Sequence, residues 1–120
     1  MATLCHPITR PRDVRDPNVV KVALDAKGNA LYFSRAPILQ SRNKKAPSFR
    51  HIGIYAYRRS FLLQYVRWPQ SSLEKTERLE QLRALERGVA IRVLKTDYEA
   101  IGVDVPGDVK KVERLLKKRK

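Results

Sequence analysis

The sequence predicts an α/β fold, and three observations carry that expectation: a β-hairpin signal around residue 27, an alternating run from His51, and a capped amphipathic helix followed by a further strand. Strands and helices alternate through the second half of the chain, the arrangement that builds α/β layers. A length of 120 residues suits one domain with its own core.

Residues 19–25 are rich in β-formers and partly alternate. Lys27-Gly28-Asn29 is a turn signal, and Ala30 to Ser34 reads as a second strand, so a hairpin is expected over 19–34. Two prolines and the cluster Ser41-Arg42-Asn43-Lys44-Lys45 make 36–50 a loop. His51 to Tyr57 is the next strand. Ile52, Ile54 and Ala56 share one face, and His51, Gly53, Tyr55 and Tyr57 share the other. Ser60 to Val66 reads as a short helix stopped by Trp68-Pro69.

Ser72 to Arg87 reads as the best helix. Ser71 and Glu74 have capping-box spacing, Gly88 stands where a glycine C-cap belongs, and Leu79, Leu82 and Leu85 supply part of a buried face. Val89 to Leu94 follows as a strand. A last helix starts near Pro106, with Val109, Val112, Leu115 and Leu116 inward and lysines outward. The organisation expected is a domain over 1–106 and a basic helix or tail over 107–120.

Twenty-six Lys and Arg against 12 Asp and Glu give a net charge of +14. Residues 1–60 hold 12 basic and 3 acidic side chains, 61–106 hold 7 of each, and 107–120 hold 7 and 2. Such an excess suits an anionic partner: nucleic acid, anionic lipid, a phosphorylated or carboxylated ligand, or an acidic protein surface. No apolar run reaches the roughly 18 residues of a spanning helix, so no membrane partner is expected. The opening residues lack a signal peptide's charged and apolar regions, and a cytoplasmic location is expected. Cys5 stands alone and reads as a buried or inert thiol.

The strand from His51 holds the most informative polar pattern. His51 and Tyr55 share a face and would stand roughly 13 Å apart, with Gly53 leaving a gap between them. Two hydrogen-bonding groups flanking a cleared gap suit a polyhydroxylated substrate, and the same pattern fits an ordinary strand with two satisfied side chains. Glu80 and Gln81 offer an acceptor and an amide on the capped helix, where they could also be merely solvated. Arg35, after the hairpin, could grip a carboxylate bidentately. Asp104, between a strand region and a helix, could hold Mg²⁺ or simply open the helix. No phosphate-cradling glycine loop, Cys/His cluster or Ser-His-Asp arrangement is present.

Taken in order, five blocks resemble one family. They are Asn18-Val19-Val20-Lys21-Val22, Ala30-Leu31-Tyr32-Phe33-Ser34-Arg35, Arg50-His51-Ile52-Gly53-Ile54-Tyr55-Ala56-Tyr57-Arg58, Leu79-Glu80-Gln81-Leu82-Arg83 and Gly102-Val103-Asp104. They look like the 3-deoxy-manno-octulosonate cytidylyltransferases (CMP-Kdo synthetases), and the likeness runs through about Leu116. It implies the C-terminal half of a nucleotide-diphospho-sugar transferase, with a Rossmann-like mixed sheet and a hairpin that forms homodimers. It implies that Arg35, His51, Tyr55, Glu80 and Gln81 contact the sugar acid Kdo, and that Asp104 is one of two aspartates for Mg²⁺.

The departures from that family shape the functional expectation. The phosphate-cradling loop and the segment with the other metal aspartate, which the family carries in its first half, are not in this sequence. CTP is therefore expected to bind only where a complementary N-terminal half is present, and the isolated chain is expected to be inactive. Val105 and Gly107 stand where the family tends to have a capping Thr and an acidic residue. A non-catalytic dimerisation or sugar-acid-binding module is the alternative. A basic nucleic-acid-binding protein ranks last, because most of the aromatics sit in strands or amphipathic helices where packing claims them.

Overall fold

The computed structural model describes residues 1–38, 48–97 and 106–118. In chain order the elements are β1 (Ala2–Pro7), α1 (Pro11–Arg15), β2 (Lys21–Leu24), β3 (Ala30–Ser34), β4 (Phe49–Ala56), α2 (Arg59–Tyr65), α3 (Ser72–Glu77), α4 (Leu82–Glu86), β5 (Arg92–Lys95) and α5 (Pro106–Lys118). The strands form one mixed sheet in the order β3-β2-β4-β1-β5. Only β1 and β5 run parallel, and the other pairings are antiparallel. The α/β class and the hairpin are as expected.

The hairpin turn is built from its sequence. The Asp25 carboxylate accepts from the backbone N–H groups of Lys27 and Asn29, each at 2.9 Å. Gly28 takes φ +85°, which only glycine adopts cheaply, and the Arg92 guanidinium lies against it. The turn also reaches the far side of the sheet, where Ala30 N–H donates to Ile91 O at 2.9 Å.

Lys21 is among the largest fully buried side chains. Its ammonium donates to the carbonyls of Asp16 (2.8 Å), Val19 (2.6 Å) and Arg35. Three N–H groups meet three carbonyls, which is what makes a buried Lys tolerable. The side chain thereby ties the entry to β2 to the exit from β3. Burial lowers its pKa, with Asp16 opposing.

The core lies where the sheet meets α3 and α4. Phe33, Leu82, Ile91, Val22 and Cys5 are its largest fully buried apolar side chains. Burial raises the Cys5 thiol pKa, in keeping with an inert thiol.

Several sequence expectations need correction. β1 and α1 were not foreseen. The inward residues of β1 are Thr3 and Cys5, too small and too polar to announce a central strand. β4 begins at Phe49, inside the expected loop, and its alternation breaks: Ile54 is 62% exposed while Ile52 is buried. The expected strand 89–94 begins only at Arg92, because Val89 N–H is held by Ala84 O and Gly88 N–H by Leu85 O, at 3.1 and 3.0 Å. Those two bonds are a Schellman cap around Gly88, as that glycine suggested. On α5, Val109, Leu115 and Leu116 are 45%, 42% and 57% exposed, so they do not point into a core.

The expected helix 72–87 is two helices. Arg78 sits in the left-handed region, at φ 58° and ψ 41°, and ends α3. Tertiary contacts override local helix preference here. Glu74 and Arg83, nine residues apart, would fall on opposite faces of one straight helix, separated by about 13.5 Å of rise. With the kink they form a bidentate pair at 2.6 and 2.8 Å. Glu74 also completes the capping box with Ser71, and Arg83, as the leading cause, lowers its pKa.

The kink costs about 1–2 kcal/mol for a residue with a Cβ. Arg78→Gly is therefore expected to raise the unfolding free energy by about 0.5–1 kcal/mol after the added chain entropy is subtracted. Urea titration checks this, and a loss of stability would mean that the Arg78 side chain does more than cap.

Candidate functional site

The sequence-predicted polar residues gather where β4 meets α2 and the α3–α4 turn. The register of β1 on β4 jumps from Leu4↔Ile52 to Thr3↔Tyr55, so Gly53 and Ile54 have no partner across the ladder. That bulge changes the expected spacing. The rings of His51 and Tyr55 are not separated by a gap but stand 5.4 Å apart, because the two bulged residues leave them opposite Cys5 and Thr3, only two positions apart on β1. Gly53 is exposed, and a Cβ there would meet nothing within 4 Å. No contact among the described residues requires a glycine at this place.

His51 is packed edge-on against Phe33 at 5.0 Å. Its Nε2 lies 2.8 Å from Thr3 Oγ1. Burial pushes the imidazole pKa from 6.5 down to about 4, so the ring is neutral near pH 7. Tyr55 continues into an aromatic row, through Tyr57 at 5.9 Å and on to Phe61, Tyr65 and Trp68. Burial, reinforced by neighbouring tyrosines and Glu80, raises the pKa of the Tyr55 phenol, which stays a protonated donor.

Glu80 and Gln81 sit in the turn between α3 and α4. The Tyr65 hydroxyl donates to Glu80 O at 2.8 Å and so anchors this turn to α2. The Glu80 side chain is exposed, and its negative charge raises the pKa of Tyr55, Tyr57 and Tyr65. These four groups therefore share one neighbourhood. Gln70, Glu74, Lys75, Arg78 and Glu80 line an open depression beside them.

Gln81 is 4% exposed, and its side-chain amide makes no hydrogen bond among the described residues. Neither do the Tyr55 hydroxyl nor His51 Nδ1. Yet no side-chain nitrogen or oxygen sealed from solvent lacks a partner among the described residues. The three unsatisfied ends must each reach an opening to the outside. A mostly buried polar group with no protein partner is ready for a ligand's.

Arg35 stands apart from this cluster. Its Nη1 donates to Pro17 O at 3.0 Å and its backbone N–H to Glu77 at 3.5 Å. No contact joins it to His51 or Tyr55 among the described residues. Glu77, which the sequence did not single out, receives Ser34 Oγ at 3.1 Å and the Tyr32 hydroxyl at 3.4 Å. It thereby fastens α3 to the hairpin.

Asp104 lies outside the described residues. Among those described, no three His, Cys, Asp or Glu side chains are grouped to hold a metal ion. No described helix is long and apolar enough to cross a membrane. Thr3, Tyr57 and Tyr65 also belong to this site, and nothing in local sequence marks them. Thr3 is 48 residues from His51, and the tyrosines look like ordinary core residues.

The chain resembles known proteins in both sequence and fold. The family described as Cytidylyltransferase matches residues 1–95. The 3-deoxy-manno-octulosonate cytidylyltransferase of Solibacter usitatus (strain Ellin6076) is 54% identical over 119 residues, covering 98% of this chain and 47% of its own. The same-named protein of Syntrophotalea carbinolica (strain DSM 2380 / NBRC 103641 / GraBd1) is 50% identical over 127 residues, covering 98% and 51%. A solved structure described as CMP:2-keto-3-deoxy-manno-octonic acid synthetase complexed with CTP superposes with a TM-score of 0.89 at 42% identity. The match takes in 99% of this chain and 49% of that one. The chain spans about half the length of the curated relatives it matches.

Proposed function

The chain belongs to the cytidylyltransferase family, and on that premise we propose that it carries the sugar-acid side of a 3-deoxy-manno-octulosonate cytidylyltransferase site. The reaction joins CTP and Kdo into CMP-Kdo and pyrophosphate, for lipopolysaccharide biosynthesis in the cytoplasm. The observation that carries the reading is the trio of unsatisfied polar ends on Gln81, Tyr55 and His51. A polyhydroxylated acid offers the donors and acceptors they lack.

In this reading neutral His51 accepts from a sugar hydroxyl, and the Tyr55 phenol donates to another. Gln81 does both through its amide, and Glu80 accepts at the rim. Arg35 keeps the remaining N–H groups of its fork for a carboxylate. The sugar's anomeric hydroxyl attacks the α-phosphorus of CTP. The new O–P bond forms as the bond to the β-phosphate breaks, pyrophosphate leaves with that electron pair, and the hydroxyl proton passes to solvent. Holding the sugar in one orientation is this chain's share of the rate.

Mg²⁺ enters the proposal only through Asp104. The described residues supply no ligand set for it. CTP is proposed to bind where a complementary N-terminal segment or chain is present. A homodimer through the hairpin is part of the proposal, supported by the edge position of β3 and by Leu31 on it, 62% exposed. Residues 107–120 are taken as a basic appendage to a 1–106 domain.

Calorimetric titration with Kdo is the test. The chain is expected to bind, and Gln81→Leu to weaken binding about tenfold, the worth of one well-placed hydrogen bond. Absence of binding by the folded chain, or an unaffected variant, would sink the assignment. Pyrophosphate release from CTP and Kdo is expected only with the nucleotide half supplied.

A further inference from the structure

We propose that Thr3 is a positioning residue that fixes the tautomer of His51, keeping the ring proton on Nε2 so that Nδ1 is presented outward as a bare acceptor. The single hydrogen on the Thr3 hydroxyl decides the tautomer. Thr3 Oγ1 has three close partners: Ile54 O at 2.7 Å, Ile52 O at 3.1 Å and His51 Nε2 at 2.8 Å. A hydroxyl carries one hydrogen, and both carbonyls can only accept. If that hydrogen went to Nε2, the hydroxyl oxygen would face Ile54 O at 2.7 Å with lone pairs opposed. The hydrogen therefore goes to a carbonyl, and Nε2–H donates to Thr3 Oγ1.

The fold holds this arrangement in place. Thr3 is 3% exposed and sits where the β1–β4 register breaks. In that break Ile54 has no partner across the ladder, and the hydroxyl of Thr3 reaches its carbonyl. Phe33 and Tyr55 both pack against the imidazole, with ring centroids 5.0 and 5.4 Å away. Burial keeps the ring neutral near pH 7, so the tautomer decides what the outer nitrogen offers.

The consequence for specificity rests on the proposed sugar-acid reading. A bare Nδ1 accepts from a hydroxyl and repels a carboxylate. His51 therefore faces the polyol part of the ligand, and the acid group is recognised elsewhere.

The test is long-range ¹H–¹⁵N correlation on the ¹⁵N-histidine-labelled full chain at pH 7. The expected pattern is a protonated Nε2 and an unprotonated Nδ1 on His51 in the wild type. In Thr3→Val the proton should move to Nδ1 or exchange between the nitrogens, and Thr3→Ser should restore the wild-type pattern. Kdo affinity should fall about tenfold in Thr3→Val and recover in Thr3→Ser.

A wild-type Nδ1–H ring overturns the proposal, and that measurement holds even if Thr3→Val fails to fold. A folded Thr3→Val protein with an unchanged Nε2–H ring overturns it equally. The expected tautomers with no Kdo binding by any form would support the proposal and remove the sugar-acid reading instead.

Discussion

Replacing Lys21 with methionine is expected to lower the unfolding free energy by about 3 kcal/mol, roughly 1 kcal/mol for each carbonyl left without a donor. Methionine has nearly the length of lysine and fills the same space, so the loss reports the polar contacts and not a cavity. The carbonyls at risk are those of Asp16, Val19 and Arg35. They lie in the approach to β2 and the exit from β3, so the hairpin base should loosen first. Urea unfolding read by circular dichroism gives the total, and amide exchange locates it. A variant as stable as the wild type would show that these carbonyls reach water or rearrange at no cost.

The second large effect is on acid stability. The His51 pKa is held at about 4, against 6.5 in an open chain. Above pH 6.5 the ring is neutral whether the chain is folded or not, and contributes no slope. As pH falls from 6.5 towards 4, the unfolded chain takes up a proton that the folded one refuses. Stability therefore falls across that window, by about 3 kcal/mol in all. Below pH 4 both forms are charged and the loss is complete.

Other groups also titrate in acid, and His51→Gln isolates the histidine. Urea midpoints between pH 7.5 and 4 should drop more steeply for the wild type than for the variant. Parallel curves would mean that the imidazole is charged in the folded protein.

Much of the site was legible because its residues are close in sequence or lie on one strand. His51 and Tyr55 are four positions apart, and Glu80 and Gln81 are adjacent. The cap at Ser71, the glycine stop at Gly88 and the turn at Gly28 follow from rules of local backbone geometry, and all three appear in the structure.

What escaped depends on distant partners. The bulge at Gly53 and Ile54 exists because of the pairing with β1, and β1 has only Thr3 and Cys5 to show for an inward face. The break at Arg78 opposes local propensity and is held by Glu74 with Arg83 and by Glu77 with the hairpin. Arg35 looked like a free guanidinium in sequence, and only the folded chain shows one of its nitrogens committed to Pro17.

The position of β1 bears on how the molecule assembles. This strand lies between β4 and β5, and its partner in β5 is about 90 residues further on. It precedes both neighbours in the chain, and a loop of about 90 residues must close to bring β5 beside it. Closure of that kind comes late and slows folding. Hairpin, helices and β4 can organise early around a slot, and β1 is the strand inserted last. Until it arrives, the edge of β4 is open to any other strand that passes.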